Sequence, residues 1–180
     1  MRKIVAGLFV SLDGVVEAPH TWHFPYFNDE MANAVTSQMA ESDTMLLGRV
    51  TYQEFASYWA DKGSDVEFAD KMNDTPKLVA STTLNSVEWK NSTLIRGNVA
   101  EELTQMKRQP GKNIAITGSP NLVRSLLRDD VLDELRMLVH PIVVGTGKRL
   151  FGDGGFQKPL KLVDSTTFKT GVVHLIYQRA

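Results

Sequence analysis

The segment Thr44-Met45-Leu46-Leu47-Gly48-Arg49-Val50-Thr51-Tyr52 constrains this chain more than any other. Met45 to Leu47 is an apolar run without polar alternation, as expected of a strand covered on both faces. It stops at Gly48, which permits a sharp turn or a close backbone approach to a ligand. A helix opens next, and the free N–H groups and dipole at a helix N-terminus favour an anion. Arg49 adds a forked cation suited to phosphate, and Thr51 adds a hydroxyl in the first turn. Gly48, Arg49 and Thr51 are therefore a candidate phosphate seat. The plainer alternative is a strand–helix junction with a turn glycine, a capping threonine and a surface arginine.

A second junction of the same kind follows. Asn113 to Thr117 reads as a strand that runs into Gly118-Ser119-Pro120-Asn121 and a helix over Leu122 to Arg128. Ser119 suits the N-cap and Pro120 the first helical position. Two such junctions in one sheet put two helix N-termini around one extended anion. Between and around them, strands are expected at Lys3–Leu12, Asp43–Gly48, Lys77–Ser81 and Ser92–Ile95. Helices are expected at Asp29–Ser42, Val50–Trp59 and Val99–Arg108, with a short helical stretch near Val66–Met72. This alternation predicts an α/β fold with a mainly parallel central sheet and helices on both faces. Thr170-Gly171 between two apolar stretches signals a hairpin at the C-terminal end.

A chain of 180 residues fits one domain, residues 1–180, with a proper core. Its formal charge of −1 provides no net positive field for nucleic acid or a membrane surface. The absence of cysteine excludes disulfides, a thiolate nucleophile and cysteine-ligated metal, and fits a reducing, cytoplasmic setting. No run is long enough to span a bilayer. His20 and His23 lie three apart without a carboxylate partner set, so no metal site is expected.

Other segments admit two readings each. Asp13-Gly14 closes the first strand as a turn signal. Val15 to Asn28 is a loop whose Trp22, Phe24, Tyr26 and Phe27 can wall a flat heterocycle or equally plug the edge of the core. Tyr52, Phe55 and Trp59 share one helix side and read as core. Gly145-Thr146-Gly147-Lys148-Arg149 is glycine-rich but no strong helix follows, so it is not a P-loop. Gly152 to Gly155 reads as a turn.

Gly48-Arg49-Val50-Thr51-Tyr52 resembles the Gly-Arg-x-Thr-aromatic signature of dihydrofolate reductases. Three further stretches follow in the family's order: Ser11-Leu12-Asp13-Gly14, Thr117-Gly118-Ser119 and Pro141-Ile142-Val143-Val144-Gly145-Thr146-Gly147. With them the whole chain resembles the dihydrofolate reductase-like family typified by the C-terminal reductase domain of bacterial riboflavin biosynthesis. The resemblance implies a three-layer α/β/α fold with an antiparallel C-terminal hairpin. It implies NADPH as cofactor, held by Gly48, Arg49, Thr51, Ser81, Thr82, Gly118 and Ser119. It implies a substrate end shaped by Asp13, Trp22, Gly145 and Gly147, with Asp29 as proton donor; for Asp13 a local turn bond, and for Asp29 a helix-cap role, are the alternatives. The implied activity is reduction of a pterin- or pyrimidine-like ring compound, by resemblance 5-amino-6-(5-phosphoribosylamino)uracil, in a homodimeric enzyme. A non-catalytic NADP(H)-binding module is the alternative, and a dihydrofolate reductase proper a weaker one. In bacterial dihydrofolate reductases the acid stands closer to the Trp-x-x-Pro motif than Asp29 and Glu30 stand to Trp22-His23-Phe24-Pro25.

Overall fold

Ile4-Val5-Ala6-Gly7-Leu8-Phe9-Val10 carries apolar side chains in both directions, so strand β1 (Ile4–Ser11) has to be covered on both faces. In the computed structural model, which describes residues 1–152 and 155–180, it lies inside the sheet. The remaining strands are β2 (Ser42–Gly48), β3 (Lys77–Ala80), β4 (Ser92–Ile95), β5 (Asn113–Thr117), β6 (Glu134–His140), β7 (Leu160–Thr167) and β8 (Val173–Arg179). They form one eight-stranded sheet in the order β4-β3-β2-β5-β1-β6-β8-β7. All pairs from β4 to β6 are parallel, and β8 pairs antiparallel with both β6 and β7. The expected parallel sheet and C-terminal hairpin are therefore both present. The turn expected at 152–155 lies partly outside the described residues.

Helices cover both faces. One core joins Ile4, Ala6, Leu8 and Val10 of β1 to helices α4 (Val99–Lys107) and α5 (Pro120–Arg128) through Leu103, Val123, Leu126 and Leu127. The opposite face carries α1 (Asp29–Ala40), α2 (Arg49–Trp59) and the short α3 (Ala69–Asp74), which begins three residues later than the sequence predicts. Here the apolar packing is split. Met31 of α1 packs with Leu138, Phe168 and Val172. Tyr52, Phe55 and Trp59 of α2 pack with Leu47, Met72, Val79 and Trp89, as expected of a core stripe. The gap between these two cores is the origin of the cleft described below. Asn28 caps α1, accepting from the Met31 N–H at 3.0 Å.

Lys77 is the feature of the core that sequence pattern does not announce. It is the first residue of β3 and is fully buried. Its Nζ donates to the carbonyls of Asn73, Thr75 and Lys90 at 3.1, 2.8 and 3.0 Å. It also stands 4.2 Å from the centroid of the Trp89 ring. All three ammonium donors are used, and two acceptors lie at the C-terminal end of α3, where the helix dipole favours a cation. Burial lowers its pKa to about 8, which leaves it charged at neutral pH. Lys77→Met keeps the stem and strips three carbonyls of their donor. We expect a loss of roughly 2–4 kcal/mol, read as a lower urea midpoint at unchanged slope.

Candidate functional site

β2 and β5 are parallel neighbours, so α2 and α5 begin side by side at the carboxyl edge of the sheet. The two junctions are bonded to each other. The Gly48 N–H donates to Ser119 Oγ at 2.8 Å. Thr51 Oγ1 accepts from the Ser119 N–H at 3.0 Å and lies 2.9 Å from Ser119 Oγ, which completes the link. Each glycine makes room for the other junction. A Cβ at Gly48 would fall 3.0 Å from Ser119 Oγ, and one at Gly118, whose φ is +71°, would fall 3.1 Å from Thr51. Gly48 itself is extended at φ −76°, so it serves close approach rather than a turn. Ser119 occupies the N-cap position as predicted, in a left-handed conformation, but makes no side-chain capping bond because its hydroxyl is committed to the other junction.

A cleft of about 660 Å³ starts at this double junction and runs across the sheet between α1 and α2. Its floor includes Gly7 and Phe9 of β1, Thr117 of β5, Leu138 of β6 and His174 of β8. Ala34, Val35 and Gln38 of α1 form one wall, and Val50, Glu54 and Phe55 of α2 the other. A second hollow, of about 350 Å³, lies at the carboxyl ends of β3 and β4 and is lined by Ser81, Thr82 and Thr83. Arg49 borders both. It is exposed, its only side-chain bond is to Gln53 Oε1 at 3.1 Å, and it has no ion-pair partner among the described residues. Ser81 Oγ accepts from the N–H groups of Thr83 and Leu84, shaping the turn after β3, while Thr82 is exposed.

The residues assigned to the substrate end sit differently. Asp13 Oδ1 accepts from Ser11 Oγ and from the Val144 N–H, and its Oδ2 from the Gly145 N–H at 2.8 Å. These bonds, that from Ser11 foremost, hold its pKa at about 2. Asp13 thus has a local partner in Ser11 and also clamps the loop after β1 to the loop after β6. Gly145 and Gly147, at φ +84° and +113°, shape the clamped loop and lie outside the cleft lining, whereas Lys148 borders it. Trp22 is buried; its indole N–H donates to the Glu17 carbonyl at 3.2 Å, and it fills the core edge rather than the cleft. Asp29 is exposed in the first turn of α1 and also stands outside the cleft lining. The carboxylates that do border the cleft are Glu17, which accepts from the Lys148 N–H, and Glu54. Sequence reasoning missed Glu54 and Gln38; the signal for Gln38 was a glycine inside the central strand.

Behind the cleft floor, His23 stacks on Phe9 with ring centroids 4.6 Å apart, and His140 meets Phe9, Trp22, His23 and Tyr26 edge-on. His140 Nδ1 lies 2.8 Å from the Leu138 carbonyl and so carries the proton, leaving Nε2 bare. His23 Nδ1 and His140 Nε2 are buried without a hydrogen-bond partner among the described residues. Burial keeps both rings neutral, with His23 pushed down to about 4 by burial first and by the neighbouring histidines second. Among the described residues no cluster of three or more His, Cys, Asp or Glu is placed to hold a metal ion.

An eight-stranded, three-layer sheet with an antiparallel β6-β8-β7 end and a cleft at its carboxyl edge defines a dihydrofolate reductase-like fold. The chain belongs to the RibD C-terminal domain family, whose model matches residues 2–174. It is 31% identical to the uncharacterized protein YyaP of Bacillus subtilis strain 168, over 98% of this chain and 94% of that protein. A protein of Shewanella sp. PV-4 named for riboflavin biosynthesis shares the fold at a TM-score of 0.79 and 19% identity, with 99% of each chain covered. The dihydrofolate reductase of Enterococcus faecalis, solved in complex with NADP(H), superposes at a TM-score of 0.63 and 14% identity, over 98% of this chain and 96% of that one.

The neutral histidines carry a pH dependence. Unfolded, they titrate near pH 6.5; folded, they resist protonation until a lower pH, about 4 for His23. The unfolded chain therefore binds more protons in between, and stability falls as pH drops from about 6.5 towards 4. We expect a loss of roughly 1–3 kcal/mol between pH 7 and pH 5, measured by urea denaturation. His23→Phe should remove much of that slope, whereas a slope unchanged in the variant would rule the imidazole out.

Proposed function

We propose that this protein is an NADPH-dependent oxidoreductase acting on a flat, pterin- or pyrimidine-like ring. The observation that carries the reading is Arg49: a cation without an ion-pair partner among the described residues, at the first turn of α2, standing between the cleft and the hollow lined by Ser81, Thr82 and Thr83. An extended dinucleotide phosphate fits this arrangement. The N-termini of α2 and α5 supply N–H groups and dipoles. Arg49 supplies bidentate charge, and the exposed hydroxyls of Thr82 and Thr83 supply donors for the adenosine end. Thr51, Ser119, Gly48 and Gly118 act by setting how closely the two helix ends approach. When bound, NADPH supplies the hydride.

The chain's own part is to hold a ring in the cleft, exclude water and deliver a proton. The apolar walls from Val35, Val50 and Phe55 suit a flat ring. Proton delivery is assigned to Glu54 on the α2 wall, since Glu17 is tied to Lys148 and Asp29 lies away from the cleft. The family makes 5-amino-6-(5-phosphoribosylamino)uracil the first substrate to try. A homodimer that covers the exposed Leu162 and Val163 of β7 accords with the resemblance.

Fluorescence titration should give micromolar binding of NADPH and much weaker binding of NADH. Arg49→Ala should weaken NADPH by about tenfold to a hundredfold, the equivalent of one or two charge-assisted hydrogen bonds. No binding of either nucleotide overturns the proposal, and binding without oxidation against any ring favours a non-catalytic module. With a substrate that turns over, Glu54→Gln should lower kcat by roughly a hundredfold. A fall in Asp29→Asn instead would return the proton to the residue expected from sequence.

A further inference from the structure

Glycine weakens a central strand, since it packs nothing and loses the most entropy on folding. Gly7 nevertheless sits in the middle of β1 with parallel strands on both sides. The reason lies on α1. A Cβ at position 7 would overlap the Gln38 carboxamide, falling 2.7 Å from its Cδ. The missing side chain is the space that lets this amide lie directly on the strand. Gln38 borders the cleft and is half-buried, and among the described residues its carboxamide has no hydrogen-bond partner; its main-chain carbonyl is used, by Ser42 Oγ.

Against the strand floor this amide offers a donor and an acceptor side by side. Thr117, Gly7 and Arg136 stand in register across three strands. Arg136 is spent on Glu134 and Glu41, at 2.6 and 2.7 Å. Phe9, Val35, Met39 and Met45 are apolar. The amide is therefore open to a ligand that carries matching donors and acceptors.

We propose that Gln38 is the specificity-determining residue of the cleft and that it reads a lactam edge, –CO–NH–, of the substrate ring. A carboxamide presents one acceptor and one donor side by side, which complements a lactam through two parallel bonds. A carboxylate at the same place presents two acceptors and instead suits the donor–donor edge of an amidine or 2-amino ring. Gly7 gives the amide room to lie against the strand. The inference rests on the reading of the cleft as the seat of a flat ring beside NADP(H).

The test uses the full chain saturated with NADP and three pteridine probes followed by fluorescence: lumazine, 1,3-dimethyllumazine, which lacks the ring N–H groups, and 2,4-diaminopteridine. The wild type should bind lumazine at least about tenfold tighter than the dimethyl compound, as expected for two lost hydrogen bonds. Gln38→Leu should erase that difference while leaving NADP binding intact, and Gln38→Glu should shift the preference to 2,4-diaminopteridine. Equal binding of the two lumazines by the wild type, no binding of any pteridine by protein that holds NADP, or a preference retained in Gln38→Leu each overturns the proposal. Failure to bind NADP at all overturns instead the functional reading beneath it.

Discussion

The hydrogen bonds among Gly48, Thr51 and Ser119 decide what the rest of the site can be. They join the ends of two adjacent parallel strands at the point where each becomes a helix. Because the two hydroxyls are buried against opposing glycines, the two helix starts are held side by side. The seat proposed for an extended anion uses these two neighbouring helix starts. The arrangement also shows why a glycine at a strand–helix junction is an ambiguous sequence signal. Gly48 is needed for close approach, but the group that approaches is Ser119.

Charge is distributed unequally between the ends of the sheet. At the amino ends, Arg2 pairs with Asp43, Lys107 with Asp133, Arg179 with Asp133, and Arg136 with Glu41 and Glu134. Several of these side chains are largely buried, where an unpaired charge would be costly. At the carboxyl ends Arg149 pairs with Asp13, and Arg49 has no ion-pair partner among the described residues. The pairing at the amino ends ties the strand starts to their neighbours.

Much of the fold was legible from the sequence because it rests on local pattern. The unalternated apolar runs of β1, β2 and β5 marked buried parallel strands, and the Thr170-Gly171 signal marked the hairpin between β7 and β8. What was hidden depended on partners far along the chain. Asp13 reads as a turn residue until the Val144 N–H, 131 residues on, is found bonded to it. Lys77 reads as a solvated strand start until three carbonyls close around it. Trp22 and Asp29 were placed by motif and loop length, and neither states on which side of the core edge a side chain will fall. Gly7 did announce something unusual, but without Gln38 opposite it the glycine has no direction.

The Asp13 clamp grips the start of the loop after β6 by the main-chain N–H groups of Val144 and Gly145, and Arg149 pairs with it further along. No side chain from Val143 to Thr146 is needed to hold it. The clamp therefore separates the position of this segment from its composition. The exposed side chains of Val143 and Thr146 can be exchanged, and the segment's chemistry towards solvent rewritten, while Gly145 and the clamp keep the loop in place. A scaffold built this way can diversify at its rim without re-solving its fold.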